Sequence, residues 1–196
     1  MAPAVNARRL ATTIAAAIVL VCGTVSPCAA EEPPFKKGDR TRGLIGAWGV
    51  GYRPPWAPTR SDVVFGGFQP RMGWFVADRL ELYGEATLFL YTTPWPAVSA
   101  GVGAMAGRFY LGTSGSAIPY VLGGVGVLWT SLDVVEIDRT FNFQHFIGIG
   151  WRQHRARGPR LVLELRNHHI SNAGTAGTNW GVNTLMLLSG VEWILN

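Results

Sequence analysis

The chain has 196 residues, a formal net charge of +5, 15% charged and 11% aromatic residues, and 25 glycines. So mild and scattered a basic excess excludes a nucleic-acid-binding surface, and the length suits one domain. Both cysteines, Cys22 and Cys28, stand before residue 30, which leaves the rest of the chain without a disulfide or a Cys-based metal site.

Residues 1–30 read as a cleaved secretory signal peptide. Arg8 and Arg9 precede the apolar run LATTIAAAIVLV, too short to cross a bilayer as a helix, and Cys28-Ala29-Ala30 fits a small-residue cleavage site. Val21 and Pro27, which stand before the two cysteines, suit lipoprotein processing poorly. Loss of Arg8 and Arg9 lowers the net charge from +5 to +3. Residues 31–41, EEPPFKKGDRT, form a short polar lead-in, and residues 42–196 carry the fold. No later stretch has the roughly 18 uninterrupted apolar residues that a membrane helix needs.

The chain after residue 41 instead consists of runs of alternating apolar and small or polar residues, each long enough for a tilted membrane strand, for which roughly nine to eleven residues suffice. Strands are expected near 42–53, 62–76, 79–91, 97–111, 119–131, 140–152, 160–171 and 182–195. The connectors alternate too. Residues 54–61, 92–96, 132–139 and 172–181 belong at one end, and 77–78, 112–118 and 158–159 at the other. With both termini periplasmic, the first set is extracellular. The class is therefore all-β: an eight-stranded antiparallel transmembrane β-barrel after a cleaved signal peptide.

Face parity agrees. In the third strand Leu80, Leu82, Ala86, Leu88 and Leu90 oppose Glu81, Tyr83, Glu85 and Thr87; in the sixth Phe141, Phe143, Ile147, Ile149 and Trp151 oppose Asn142, Gln144, Gly148 and Gly150. One apolar face and one polar or small face per strand is the dyad pattern of a membrane barrel. A lipocalin-like soluble barrel would put charge outside; parity alone leaves it open, and the export signal with few charges on either face favours the membrane. Glu81, Glu85, Glu164, Glu192, Arg108 and Arg166 then form a polar lumen plug. The glycines of the middle strands relieve crowding in a narrow lumen, and no strand-to-helix turn comes after them to make a phosphate loop. Most of the eight tryptophans fall near strand ends, where interfacial girdles lie.

Of the four histidines, His145 reads as an interfacial or neighbour-bonded residue of the apolar face, His154 as part of a solvated basic turn, and His168 as a lumen residue in a polar network. His168 and His169 project to opposite faces and cannot chelate one ion, so no metal site is expected.

The seventh strand carries the chemistry. Leu161, Leu163, Leu165, Asn167, His169 and Ser171 share one face, while Glu164, Arg166 and His168 hold the charge of the other, so the first set faces lipid. His169 and Ser171 stand two residues apart, roughly 6.6 Å along a strand. A serine hydroxyl becomes a nucleophile when an imidazole takes its proton, and a third group commonly fixes the imidazole tautomer. Asn183, opening the last apolar strand on the same outer surface, is the candidate for that third group. The turn 172–181 offers backbone N–H groups and the Asn172 amide to a developing oxyanion.

His169-Ile170-Ser171-Asn172, with Asn179-Trp180-Gly181 and a closing apolar strand after it, resembles the signature of the outer-membrane lipid A 3-O-deacylases, the PagL-like acyloxyacyl hydrolases. The likeness extends upstream through Phe146–Trp151 and Leu161–Arg166, about the last quarter of the chain. It implies an eight-stranded barrel that hydrolyses the ester-linked acyl chain at position 3 of lipid A from its outer wall. His169 matches the base, Ser171 the nucleophile, and Asn172 with Gly174 the oxyanion donors. The family's characterised members carry a glutamate where this chain has Asn183. Asparagine can orient an imidazole but cannot neutralise an imidazolium, and Glu164 and Glu192 fall on the wrong face to replace the acid; Glu136, in the preceding loop, is left as a candidate.

The first expectation is thus an outer-membrane serine esterase needing no cofactor or metal, acting on lipid A or lipopolysaccharide, with its site towards the outer leaflet. The alternative is a structural or adhesion barrel whose site has degenerated at Asn183; a third, weaker reading is an acyltransferase. A homodimer is a possible assembly.

Overall fold

The computed structural model describes residues 35–55, 57–58, 62–112, 115–155 and 157–195; the expected signal peptide lies outside them. Eight strands succeed one another: β1 (Arg40–Gly51), β2 (Val64–Ala77), β3 (Leu80–Thr93), β4 (Ala97–Tyr110), β5 (Ala117–Thr130), β6 (Phe141–Gln153), β7 (Arg160–Ser171) and β8 (Val182–Leu195). Each pairs antiparallel with the next, and β1 pairs with β8 from Arg40↔Leu195 to Gly51↔Thr184, closing the barrel. Every expected strand is present, its ends within two residues of those read from the alternation. Closure satisfies the backbone of β1 and β8 on both edges, the condition for a sheet to cross hydrocarbon.

Alternation fixes which side chains point where. Leu82, Leu90, Ile147, Ile149 and Leu161 are at least half exposed on the outer wall, whereas Glu81, Tyr83, Glu85, Gln144 and Arg166 are buried in the lumen. Four glutamates and four arginines fill the middle of that lumen among the described residues. Glu164 accepts from Arg71 at 2.9 Å, Arg108 at 3.0 Å, Arg166 at 2.8 Å and the Tyr120 hydroxyl at 2.7 Å. Glu192 pairs with Arg108 at 2.8 Å and with Arg152, and Glu81 with Arg152 at 3.0 Å. Arg71 and Arg152 extend the expected plug. Arg152 begins what reads from sequence as a basic turn, yet it stands on the lumen side of β6 beside Asn142, Gln144 and Gly150, and the paired carboxylates draw it in. A Cβ on Gly150 would come within 2.8 Å of both Tyr120 and Glu164, so the network reaches the strand backbone only because that position is bare.

At the short-turn end the lead-in does more than connect. Phe35 is buried, stacked on Phe75 with centroids 4.9 Å apart and 4.3 Å from the Tyr110 ring. It caps the plug with an aromatic layer. At the other end lie the connections after β1, β3, β5 and β7, and the His169 end of β7 rises among them.

Candidate active site

The parity of β7 sets the site. His168 turns inward, its ring nitrogens 3.0 Å from Gln144 Oε1 and 3.3 Å from Thr184 Oγ1, with Phe89 edge-on to its ring. His169 and Ser171 turn outward, both half-buried, as do Asn167 and, on β8, Asn183 and Leu185. The two adjacent histidines therefore serve different compartments.

Register does the rest. His169 lies opposite Asn183 on β8 and opposite His145 on β6. His169 Nδ1 is 2.8 Å from Asn183 Oδ1, while Asn183 Nδ2 donates to the Gly181 carbonyl at 3.4 Å. That second bond fixes which end of the amide faces the ring. With an oxygen as its partner Nδ1 carries the hydrogen, which in the neutral ring puts the lone pair on Nε2, beside Gly181. On the other flank the His145 ring packs on the His169 ring with centroids 4.7 Å apart. His145 is thus a neighbour of the candidate base, a proximity that needs the strand register and is invisible in the sequence spacing.

Gly181 closes the pocket. Its φ is +76°, and a Cβ built there would overlap Cε1 and Nε2 of His169. Its N–H and that of Trp180 donate to the Glu136 carbonyl at 3.0 and 3.1 Å, tying the loop before β8 to the loop before β6. A bridge from Ile137 to Asn179 and a bond from Arg139 to Thr175 Oγ1, 2.8 Å, continue the seam. Glu136 enters this seam through its backbone, and no bond links its carboxylate to His169 among the described residues.

Ser171 stands two residues above His169, with no hydrogen bond between its hydroxyl and the imidazole. Neighbours along one strand face splay rather than converge, and unliganded catalytic pairs are commonly looser than their reacting form. Beyond Ser171, Asn172 is fully buried and organises the loop. Its Nδ2 donates to the carbonyls of Ala176 and Thr178, both at 3.0 Å, and its Oδ1 accepts from Gly174 N–H at 2.9 Å. Its own N–H donates to Asn179 Oδ1 at 2.9 Å. The N–H groups of Asn172 and Gly174 are thus both aimed at side-chain oxygens. Ala173 and Gly174 both adopt left-handed conformations, φ 53° and 73°. No group of three or more His, Cys, Asp or Glu residues with metal-binding geometry occurs among the described residues.

A family model described as "Lipid A 3-O-deacylase (PagL)" matches residues 47–192. No curated protein matches the sequence. Among solved structures, the crystal structure of the outer membrane enzyme PagL is similar at a TM-score of 0.54 and 19% identity, covering 76% of this chain and 97% of that one. Neisserial surface protein A is similar at a TM-score of 0.57 and 15% identity, over 80% of this chain and 99% of that one.

Proposed function

From the premise that this chain belongs to the lipid A 3-O-deacylase (PagL) family and is a barrel of the bacterial outer membrane, we propose that it is a serine esterase that removes the 3-O-linked acyl chain of lipid A. The observation that carries the reading is the His169 Nδ1–Asn183 Oδ1 bond of 2.8 Å on the outer wall, one strand step from Ser171. It holds the imidazole in the tautomer a general base requires, at a surface an acyl chain reaches sideways from the outer leaflet.

Ser171 Oγ attacks the ester carbonyl as His169 Nε2 takes its proton. The negative charge that develops on the carbonyl oxygen goes to the N–H groups of Asn172 and Gly174, displacing the side-chain oxygens that occupy them; donors of this kind are each worth about 3–4 kcal/mol in a transition state. Collapse of the adduct breaks the bond to the sugar, whose 3-oxygen leaves with the proton from His169. Water, activated by the same imidazole, then hydrolyses the acyl-Ser171 ester to the free fatty acid. Asn183 orients His169 through both half-reactions but adds no negative charge to balance the imidazolium, so the chain works below the rate its geometry permits.

The neutral Asn183 also favours a second reading, a non-catalytic barrel with a degenerate site. Mass spectrometry of lipid A from cells expressing the chain decides between them. Loss of one 3-O-acyl chain, abolished by Ser171→Ala, is the expected result. An unchanged acyl pattern in cells that contain the folded barrel, or deacylation that survives Ser171→Ala, refutes the esterase.

A further inference from the structure

One polar contact on the outer wall is used neither by the barrel nor by the base and nucleophile. Asn167 is exposed on the lipid-facing side of β7, one strand step below His169, after Leu161, Leu163 and Leu165. Its amide Nδ2 donates to the hydroxyl of Tyr52. Tyr52 comes directly after β1 and extends the pairing with β8, since its N–H donates to the Asn183 carbonyl at 2.9 Å. Asn183 in turn lies opposite His169, and Leu185 opposite Asn167. The Tyr52 side chain therefore crosses the outer face of β8 to reach β7, passing beneath the His169–Asn183 bond.

A polar pair facing hydrocarbon is costly unless its groups are satisfied. This pair is satisfied only by half. Among the described residues no acceptor takes the Tyr52 O–H and no donor reaches Asn167 Oδ1. If the shared bond is drawn the other way, from Tyr52 O–H to Asn167 Oδ1, the pair still offers the Nδ2 hydrogens as donors and the phenol oxygen as an acceptor. Either assignment presents a donor beside an acceptor, which complements a group that is itself both: a hydroxyl or a secondary amide. Simple alkyl chains offer neither.

We propose that Tyr52 and Asn167 form a specificity subsite for a hydroxyl or amide carried by the substrate's acyl chains, deeper in the leaflet than the scissile ester. The proposal rests on the esterase reading for the identity of that ester, but the subsite itself is a binding property and is measured without turnover. Bound there, the polar group holds its acyl chain against the Leu161–Leu165 side of β7, and the ester to be cleaved comes to Ser171 in register with it. Neither residue touches the reacting atoms; both act by positioning.

The test uses the full barrel in detergent micelles with Ser171→Ala, so that nothing is consumed, and two probes: a diacylated glucosamine phosphate whose amide-linked chain bears a 3-hydroxyl, and the same compound with an ester replacing the amide and no hydroxyl. Parent Ser171→Ala is expected to bind the first about tenfold more tightly, the value of one to two net hydrogen bonds. Adding Tyr52→Phe or Asn167→Leu brings the ratio towards one. A ratio near one in the parent, or a ratio that both added substitutions leave intact, overturns the proposal. So does a lowered thermal midpoint with an unaltered ratio, which makes the pair a staple for the first long loop. If the ratio behaves as expected while the unmutated chain and its Asn183→Glu variant hydrolyse neither probe, the esterase reading fails and the subsite stands.

Discussion

Gly181 has a φ of +76° and lies where any Cβ would meet the His169 ring. Gly181→Ala therefore incurs about 1–2 kcal/mol for a left-handed non-glycine backbone and displaces the imidazole from its place against the loop. Displacement of a reacting group by about 1 Å can remove 100-fold in rate. The expected outcome is a loss of that order in lipid A deacylation, with the barrel still migrating as folded, unheated protein on electrophoresis. Asn183→Glu acts in the other direction. A carboxylate that takes over the bond Asn183 Oδ1 now makes to Nδ1 keeps the tautomer and adds the charge that stabilises an imidazolium, so deacylation rises at least tenfold, measured as the initial rate on lipid A in mixed micelles. The outward placement of His169, Ser171 and Asn183 on adjoining strands was legible from parity; their assignment as base, nucleophile and orienting group rests on the family resemblance. The contact of His145 with His169 was not legible, because it depends on a register between strands that no local pattern encodes.

At the scale of the strand, period-two alternation carried nearly all the information. Boundaries come within two residues because each run ends where Gly, Pro or a polar cluster interrupts it, as at Gly158-Pro159 before β7. Arg152 shows the limit: neighbouring basic residues draw the eye to a turn, while its even position on β6 assigns it to the lumen. The seam between the loops at 132–139 and 172–181 gave no sequence signal, since Glu136 joins it through a backbone carbonyl that any residue possesses. The outer face gives its own prediction. Ile147, at the middle of β6, is 68% exposed towards lipid, and Ile147→Arg there destabilises the barrel by roughly 2–4 kcal/mol, read as a lower midpoint in urea unfolding from vesicles.

Within the whole molecule an ion network fills the middle of the lumen, flanked by buried apolar side chains such as Phe75, Phe89, Leu128 and Ile170. Glu164 is the centre, shared by three arginines and a tyrosine. Removing one partner from such a network leaves buried charge uncompensated, at a cost of about 3–5 kcal/mol. Glu164→Gln keeps the volume and loses the charge, and a drop of that size in unfolding free energy is expected, far beyond the effect of Glu136→Gln on the loop seam.

The arginine and glutamate column, capped by Phe35, bars the axis of the barrel. On the proposed esterase reading, a fatty acid set free at the wall has no route downward through the protein and dissolves in the sheet of lipid its parent came from. Turnover then depends on encounters in two dimensions: velocity tracks the mole fraction of acylated lipid in the surface rather than its concentration in the bulk, and adding inert detergent slows the reaction by dilution alone.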